Sequence, residues 1–258
     1  MFILQNNIMY QFRTLTSLYS VAVTYRLPDY TEQRYDSKIV VKAQRKKEKY
    51  LFTLEERFGI QLNNEAPQKV MDRLMTQLGN SLYPIELYVS ERGELLAVPN
   101  FEQIKNVWLK TAKELLRQNK TLEFKNYLEA AQMNLSDEQK FLKVLPKDNF
   151  IQLFFKDYAE NKVELAFVNF PFQNRKTNYY VRKIPNIHNS YALFPAFKEA
   201  GIQETGGKLF CRKNRTCGEP FTIEANIHLI TSDADLYQKR VLIEAGENEH
   251  KVKTGIFF

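Results

Sequence analysis

At 258 residues, 44% hydrophobic and 26% charged, the chain has ordinary globular composition and the length to bury a full core. A formal net charge of +7 is a mild bias toward anionic partners and no more. Nine Gly is about half the usual share of roughly 7%, which argues against glycine-cradled phosphate loops. The apolar run Met1-Phe-Ile-Leu4 falls short of a signal-peptide core, and no stretch approaches the roughly 18–20 apolar residues that cross a bilayer. The expectation is a soluble chain without a membrane span, cytoplasmic by default, with an exported mature chain as the other option.

Nineteen Phe and 14 Tyr stand against a single Trp, which favours half-buried pleated surfaces. Tyr19, Val21, Val23 and Tyr25 alternate along 14–27, and Pro28-Asp29 breaks the run. Residues 37–62 read as a hairpin with a charged tip at Arg45-Lys-Lys-Glu-Lys49. Asn64 and Pro67 then suit a helix start, Val70, Leu74 and Leu78 follow at helical spacing, and Gly79 suits its end. Ile85, Leu87 and Val89 alternate before the turn Glu91-Arg-Gly93, the strongest hairpin signal in the chain.

The period changes at residue 100. From Asn100 onward Phe101, Ile104, Val107, Trp108, Ala112, Leu115 and Leu116 recur every three or four positions and so lie along one helical stripe. A second helix is predicted from a Thr121 cap through Phe124, Leu128 and Ala131, and a third from the capping-box pattern Ser136-Asp-Glu-Gln139 to Pro146. Phe150–Phe155 suits a buried strand or a short helix equally. Strands resume at Val163, Leu165 and Phe167 and at Tyr179–Ile184. Residues 185–218, with Pro185, Pro195, Gly206 and Gly207, read as the least regular part, and strands at 219–231, 237–245 and 251–258 finish the chain.

These elements predict an α+β fold: a mainly antiparallel, curved sheet with a helical insertion at about 100–145 packed on one face. One domain spanning 1–258 is expected, with a sheet divided into two lobes by the helical block as the variant. The order is loosely like folds in which a curved antiparallel sheet cups a few helices, some of which hold lipid or hydrophobic ligands. That likeness is architectural and says little about activity.

Chemistry is thinly marked. His188, His228 and His250 have no metal-type spacing, and no serine-elbow, dinucleotide or phosphate-loop motif occurs. No catalytic residue, metal or cofactor is therefore assigned. One polar strand face, Glu224, Asn226 and His228, could hold a metal or an acid–base pair, although a solvated face over a packed one is the commoner cause of such a pattern. A second candidate is anion binding. Arg175, Lys176, Arg182 and Lys183 flank Tyr179 and Tyr180, and Lys208, Arg212, Lys213 and Arg215 follow with Phe210 among them, the mixture of charge and rings that single-stranded nucleic acid uses. Cys211 and Cys217 flank Arg-Lys-Asn-Arg-Thr, which suits a small disulfide loop or two thiols of raised thiolate character.

Abundant aromatics without a catalytic constellation point to a non-enzymatic binding or assembly protein acting through an aromatic-rich surface or cavity. The expected partner is a protein or a second copy of the chain, with a hydrophobic ligand as another. Polyanion or single-stranded nucleic-acid binding through 175–215 is the alternative. A hydrolase or transferase with scattered carboxylates near Glu224 and His228 is the second alternative.

Overall fold

The computed structural model describes residues 14–158, 163–171, 175–196, 201–213 and 219–246. Its strands form one antiparallel sheet of 11 members in the order β5-β4-β3-β2-β1-β11-β10-β9-β8-β7-β6. The first half comprises β1 (Thr14–Arg26), β2 (Glu32–Lys46), β3 (Lys49–Leu62), β4 (Ile85–Ser90) and β5 (Leu95–Ala97). The second comprises β6 (Val163–Val168), β7 (Lys176–Lys183), β8 (Ser190–Pro195), β9 (Ile202–Lys213), β10 (Pro220–Thr231) and β11 (Leu236–Ala245). The helices are α1 (Val70–Asn80), α2 (Phe101–Gln118), α3 (Leu122–Asn134), α4 (Glu138–Val144) and α5 (Asn149–Phe154), with a 3-10 turn at Leu145–Lys147.

Every neighbouring pair runs antiparallel, and short connections join β1 to β2, β2 to β3, β4 to β5, β7 to β8 and β10 to β11, which antiparallel neighbours allow. Period-two burial sends Leu15, Ser17, Tyr19, Val21 and Val23 of β1 inward, and Ser37, Ile39, Val41 and Ala43 of β2 with them. The helices cover that inner face.

The sheet is open yet strongly curved. Phe167 of β6 lies 5.1 Å from the Lys239 ammonium of β11, five strand spacings away in the sheet order. On a flat sheet that separation would be roughly 24 Å. Both free edges are met by side chains from consecutive helices. Glu138 of α4 accepts from Val98 N just past β5 (2.6 Å), and Gln152 of α5 accepts from Ala166 N of β6 (2.7 Å). Exposed strand edges invite pairing with other chains, and these carboxylate and amide oxygens occupy them.

The helical block 100–145 divides into α2, α3 and α4. The stripe of α2 buries Phe101, Ile104, Trp108, Ala112 and Leu115, and Phe124 and Leu128 of α3 are buried as well. Thr121 caps α3 by accepting from Phe124 N (3.4 Å). Trp108 is only 3% exposed, so native emission is expected well to the blue of free indole, shifting red on unfolding. Emission at the wavelength of exposed indole in the native protein would contradict the placement of α2.

Several local expectations need correction. Asn64 does not cap a helix. Asn63 and Asn64 are both left-handed (φ 53 and 66) in the turn closed by the Leu62–Glu65 bridge, and α1 begins at Val70. Pro67 explains the delay, since the residue before proline avoids helical geometry. Gly79 lies inside α1, which runs to Asn80. Asp137, not Ser136, caps α4 by accepting from Lys140 N (2.8 Å). Asn100, whose residue type and place suit a side-chain cap of α2, makes none; its amide accepts from Glu86 N of β4 and donates to Pro84 O just before it.

Residues 185–218 are more regular than expected, because β8 and the 12-residue β9 lie there. Gly206 and Gly207 are strand residues. A Cβ on Gly207 would run into the Asn226 carbonyl of β10, so close backbone approach accounts for the glycine. The strand expected at 251–258 lies outside the described residues.

Candidate functional site

Helix α5 is too short to stand alone and is held by its rings. Phe154 packs on Tyr19 of β1 (5.1 Å), Phe52 of β3 (6.1 Å), Phe150 (4.9 Å) and Phe155 (5.0 Å). Phe155 also meets Phe52 edge-on at 4.9 Å. This buried aromatic cluster joins the middle of the sheet to the helical layer.

The other end of α5 is fixed by charge. Arg57 of β3 grips Asp148 through two hydrogen bonds, Nη1 to Oδ2 (2.7 Å) and Nη2 to Oδ1 (3.1 Å). Asp148 also caps α5, accepting from Phe150 N and Ile151 N. Burial would raise the Asp148 carboxyl. The Arg57 charge, its hydrogen bonds and the helix N–H groups outweigh that and hold it below the usual range. Burial pushes the neighbouring Tyr35 and Tyr83 hydroxyls up.

Two cavities meet at this ion pair. The larger, about 520 Å³, lies between β3, α1, α4, the 3-10 turn and α5. Ile60, Leu62, Met75, Leu82, Ile85, Phe141, Val144, Leu145 and Ile151 line it, with Tyr35, Arg57, Tyr83 and Asp148 at its polar end. Gly79 faces it too, and a Cβ there would meet nothing within 4 Å. The smaller chamber, about 270 Å³, runs under α5 against β1 and β2 and is lined by Val21, Val23, Tyr25, Tyr35, Ser37, Arg57, Asp148, Asn149 and Phe150. The larger volume falls in the range of small-molecule sites, and its mostly apolar wall with a few convergent polar groups is typical of them.

The sequence candidates lie elsewhere, mostly on the outer face. Glu224, Asn226 and His228 do share that face of β10, where they are engaged as a solvated network. Asn226 Nδ2 donates to Glu224 Oε1 (3.1 Å), Arg240 Nε donates to the same oxygen (2.8 Å), and His228 Nε2 lies 3.4 Å from Glu204 Oε1. No group of three His, Cys, Asp or Glu suited to a metal ion occurs among the described residues. Phe221, which strict alternation with Ile223 and Ala225 would put on the packed face of that strand, is 37% exposed and lies under Arg212 at 4.5 Å. A register shift between Pro220 and Thr222 turns it outward.

The basic set is only partly assembled. Tyr180, Arg182, Lys208, Phe210 and Arg212 are exposed on the outer face of β7 and β9, and Arg182 lies over Phe194 at 5.2 Å. Tyr179 faces inward, fully buried, its hydroxyl 2.7 Å from Thr205 Oγ1. Consecutive strand residues point to opposite faces, so Tyr179 and Tyr180 cannot stack on one strand of nucleic acid. Lys176 and Lys183 are exposed on β7, Arg175 precedes it, and Lys213 ends β9. Arg215 lies outside the described residues. Beside this area Arg26, Arg34, Lys208, Asn226, His228 and Arg240 border an outer groove of about 510 Å³. Two of its cations are engaged, Arg34 by Asp36 and Arg240 by Glu224, each at 2.8 Å, and Glu32 also lines it. A labelled single strand is therefore expected to bind weakly at about 50 mM salt and to be released by about 150 mM. Sub-micromolar binding at the higher salt would contradict this.

Cys211 is a buried free thiol on β9. The expectation of raised thiolate character is reversed for it: burial pushes the thiol up to about 11 against the smaller opposing effect of Lys213. Cys217 lies outside the described residues. The cavity itself escaped sequence reading, because its walls come from β2, β3, α1, α4 and α5, distant in the chain. Arg57 was the available signal, a cation placed among Leu54, Phe58 and Ile60.

No helix among the described residues is long and apolar enough to cross a membrane. No protein-family model matches the chain, and no curated protein matches its sequence. Among solved structures, a LolA superfamily protein from Nitrosomonas europaea aligns over 96% of this chain and 92% of its own, at 10% identity and a TM-score of 0.22. A superposition at that score carries no argument about function.

Proposed function

We propose that the protein is a non-enzymatic binder of a hydrophobic ligand, held in the cavity between β3 and helices α1, α4 and α5. The observation that carries this reading is the roughly 520 Å³ space walled by Ile60, Met75, Leu82, Val144 and Ile151. Gly79 leaves its side of the wall bare, since a Cβ there would meet nothing within 4 Å. Apolar burial supplies the affinity, at about 25 cal/mol per Å² of ligand surface removed from water. The polar end at Tyr35, Arg57 and Tyr83 orients the ligand.

The test is titration with a neutral dye that fluoresces in apolar surroundings, N-phenyl-1-naphthylamine, against wild type and Gly79→Phe. The substitution puts a ring into open space at a helical position where replacing glycine gains about 0.5 kcal/mol of helix propensity. Wild type should bind the dye saturably. Gly79→Phe should keep its melting temperature and lose most binding. Equal binding by both proteins would place the dye elsewhere and reject the cavity.

A further inference from the structure

The charges that line the larger cavity balance. Arg57 and Asp148 neutralise each other through two hydrogen bonds, and the other two, Asp72 of α1 and Lys147 of the 3-10 turn, are one of each sign. Lys147 is exposed and Asp72 half-buried, so this second couple borders water. Only 15% of the Arg57 side chain is exposed. Lys239 is a further buried cation, but it stands on the inner face of β11 with the Tyr25 and Phe167 ring centres each 5.1 Å from its ammonium. It lines neither the larger cavity nor the smaller chamber.

The buried pair is neutral as a whole yet keeps hydrogen-bonding capacity. Asp148 Oδ1 is filled, accepting from Arg57 Nη2, Phe150 N and Ile151 N. Among the described residues Oδ2 accepts from Arg57 Nη1 alone, which leaves it an open acceptor position. Tyr83 stands beside the pair, its ring centre 5.9 Å from the Arg57 guanidinium, and its hydroxyl has no hydrogen-bond partner among the described residues. Burial pushes that hydroxyl up, so it remains a neutral donor at pH 7.

A carboxylate head would reach Arg57 only beside the Asp148 carboxylate, and an ammonium would reach Asp148 only beside the Arg57 guanidinium. Either ion would give up its water for half a partner. A hydroxyl suits both open groups, because its oxygen accepts from Tyr83 and its O–H donates to Asp148 Oδ2.

We propose that the ligand is a neutral long-chain alcohol, whose hydroxyl joins Tyr83 to Asp148 while its chain lies along Met75, Leu82 and Val144. This rests on the hydrophobic-ligand reading and names the chemical class of the ligand.

The experiment uses dodecan-1-ol, 1-methoxydodecane, dodecanoate and dodecylamine as competitors of N-phenyl-1-naphthylamine at pH 7, on wild type and Tyr83→Phe. The ether is more apolar than the alcohol and has no O–H to donate, so a cavity that recognised apolar surface alone would favour it. Wild type should instead bind the alcohol about three- to tenfold more tightly than the ether, the worth of one or two net hydrogen bonds. Each ion should bind at least about tenfold more weakly than the alcohol. Tyr83→Phe should keep its affinity for the ether and lose most of the preference for the alcohol. Equal or tighter binding of the ether by wild type, or tighter binding of either ion, would overturn the assignment of the head group and leave the hydrophobic reading intact. An unchanged preference in Tyr83→Phe would reject the hydroxyl contact. Failure of every compound to displace the dye would remove the hydrophobic reading itself. Because the wild-type comparison decides alone, a variant that fails to fold leaves the proposal open to refutation.

Discussion

Replacing Arg57 by alanine is expected to destabilise the protein by about 3 kcal/mol, because it strands a largely buried carboxylate at the start of α5. Side-chain exposure is 15% for Arg57 and 30% for Asp148, so the effect should fall at the lower end of the range for buried pairs. Asp148→Ala should cost about 1 kcal/mol more, since the cap on Phe150 N and Ile151 N goes with the charge. The pair also makes acid sensitivity predictable. A carboxyl held below its unfolded value contributes stability that is present above about pH 4 and is lost as pH falls through the folded value. In Arg57→Ala burial acts with less opposition, the carboxyl rises, and acid unfolding should begin at higher pH than in wild type. Urea midpoints at pH 7 and a pH series down to about 3 measure both effects. Unchanged midpoints and an unchanged acid transition would show that the ion pair does not secure the helix.

Phe154→Ala is expected to cost about 3–5 kcal/mol, the usual range for emptying a buried aromatic site. Phe154 touches rings from β1, β3 and α5 itself, and no single neighbour can collapse into the gap. Loss of function should accompany loss of stability, because α5 borders both cavities. Binding of the neutral dye should therefore fall in Phe154→Ala even at temperatures where the variant remains folded. A cost below about 1 kcal/mol would mean that α5 is held mainly by other contacts.

Local periodicity made most of the architecture legible. Alternation in β1, β4 and β10 and the three-to-four spacing of α2 reflect burial on one face, which a sequence records directly. Closer interactions were hidden. Phe150–Phe155 is apolar except for Gln152, so neither period shows, and packing on Tyr19 and Phe52 together with the Asp148 cap makes it a helix. The glycines of β9 resembled turn signals because close approach to Asn226 leaves no mark on residue type. Lys239 resembled an ordinary strand lysine between Gln238 and Arg240. Its alternation with Val241 and Ile243 was the clue that it points inward. The outer-face candidates were conspicuous in sequence because they are polar and clustered, the same property that keeps them solvated.

The most direct test of a ligand cavity behind α5 is a crystal structure with 12-bromododecan-1-ol, its bromine located by anomalous scattering. The account predicts one bromine peak walled by Met75, Leu82 and Val144, absent in Gly79→Phe. A peak confined to the outer face, or no ordered bromine at saturating ligand, would contradict it.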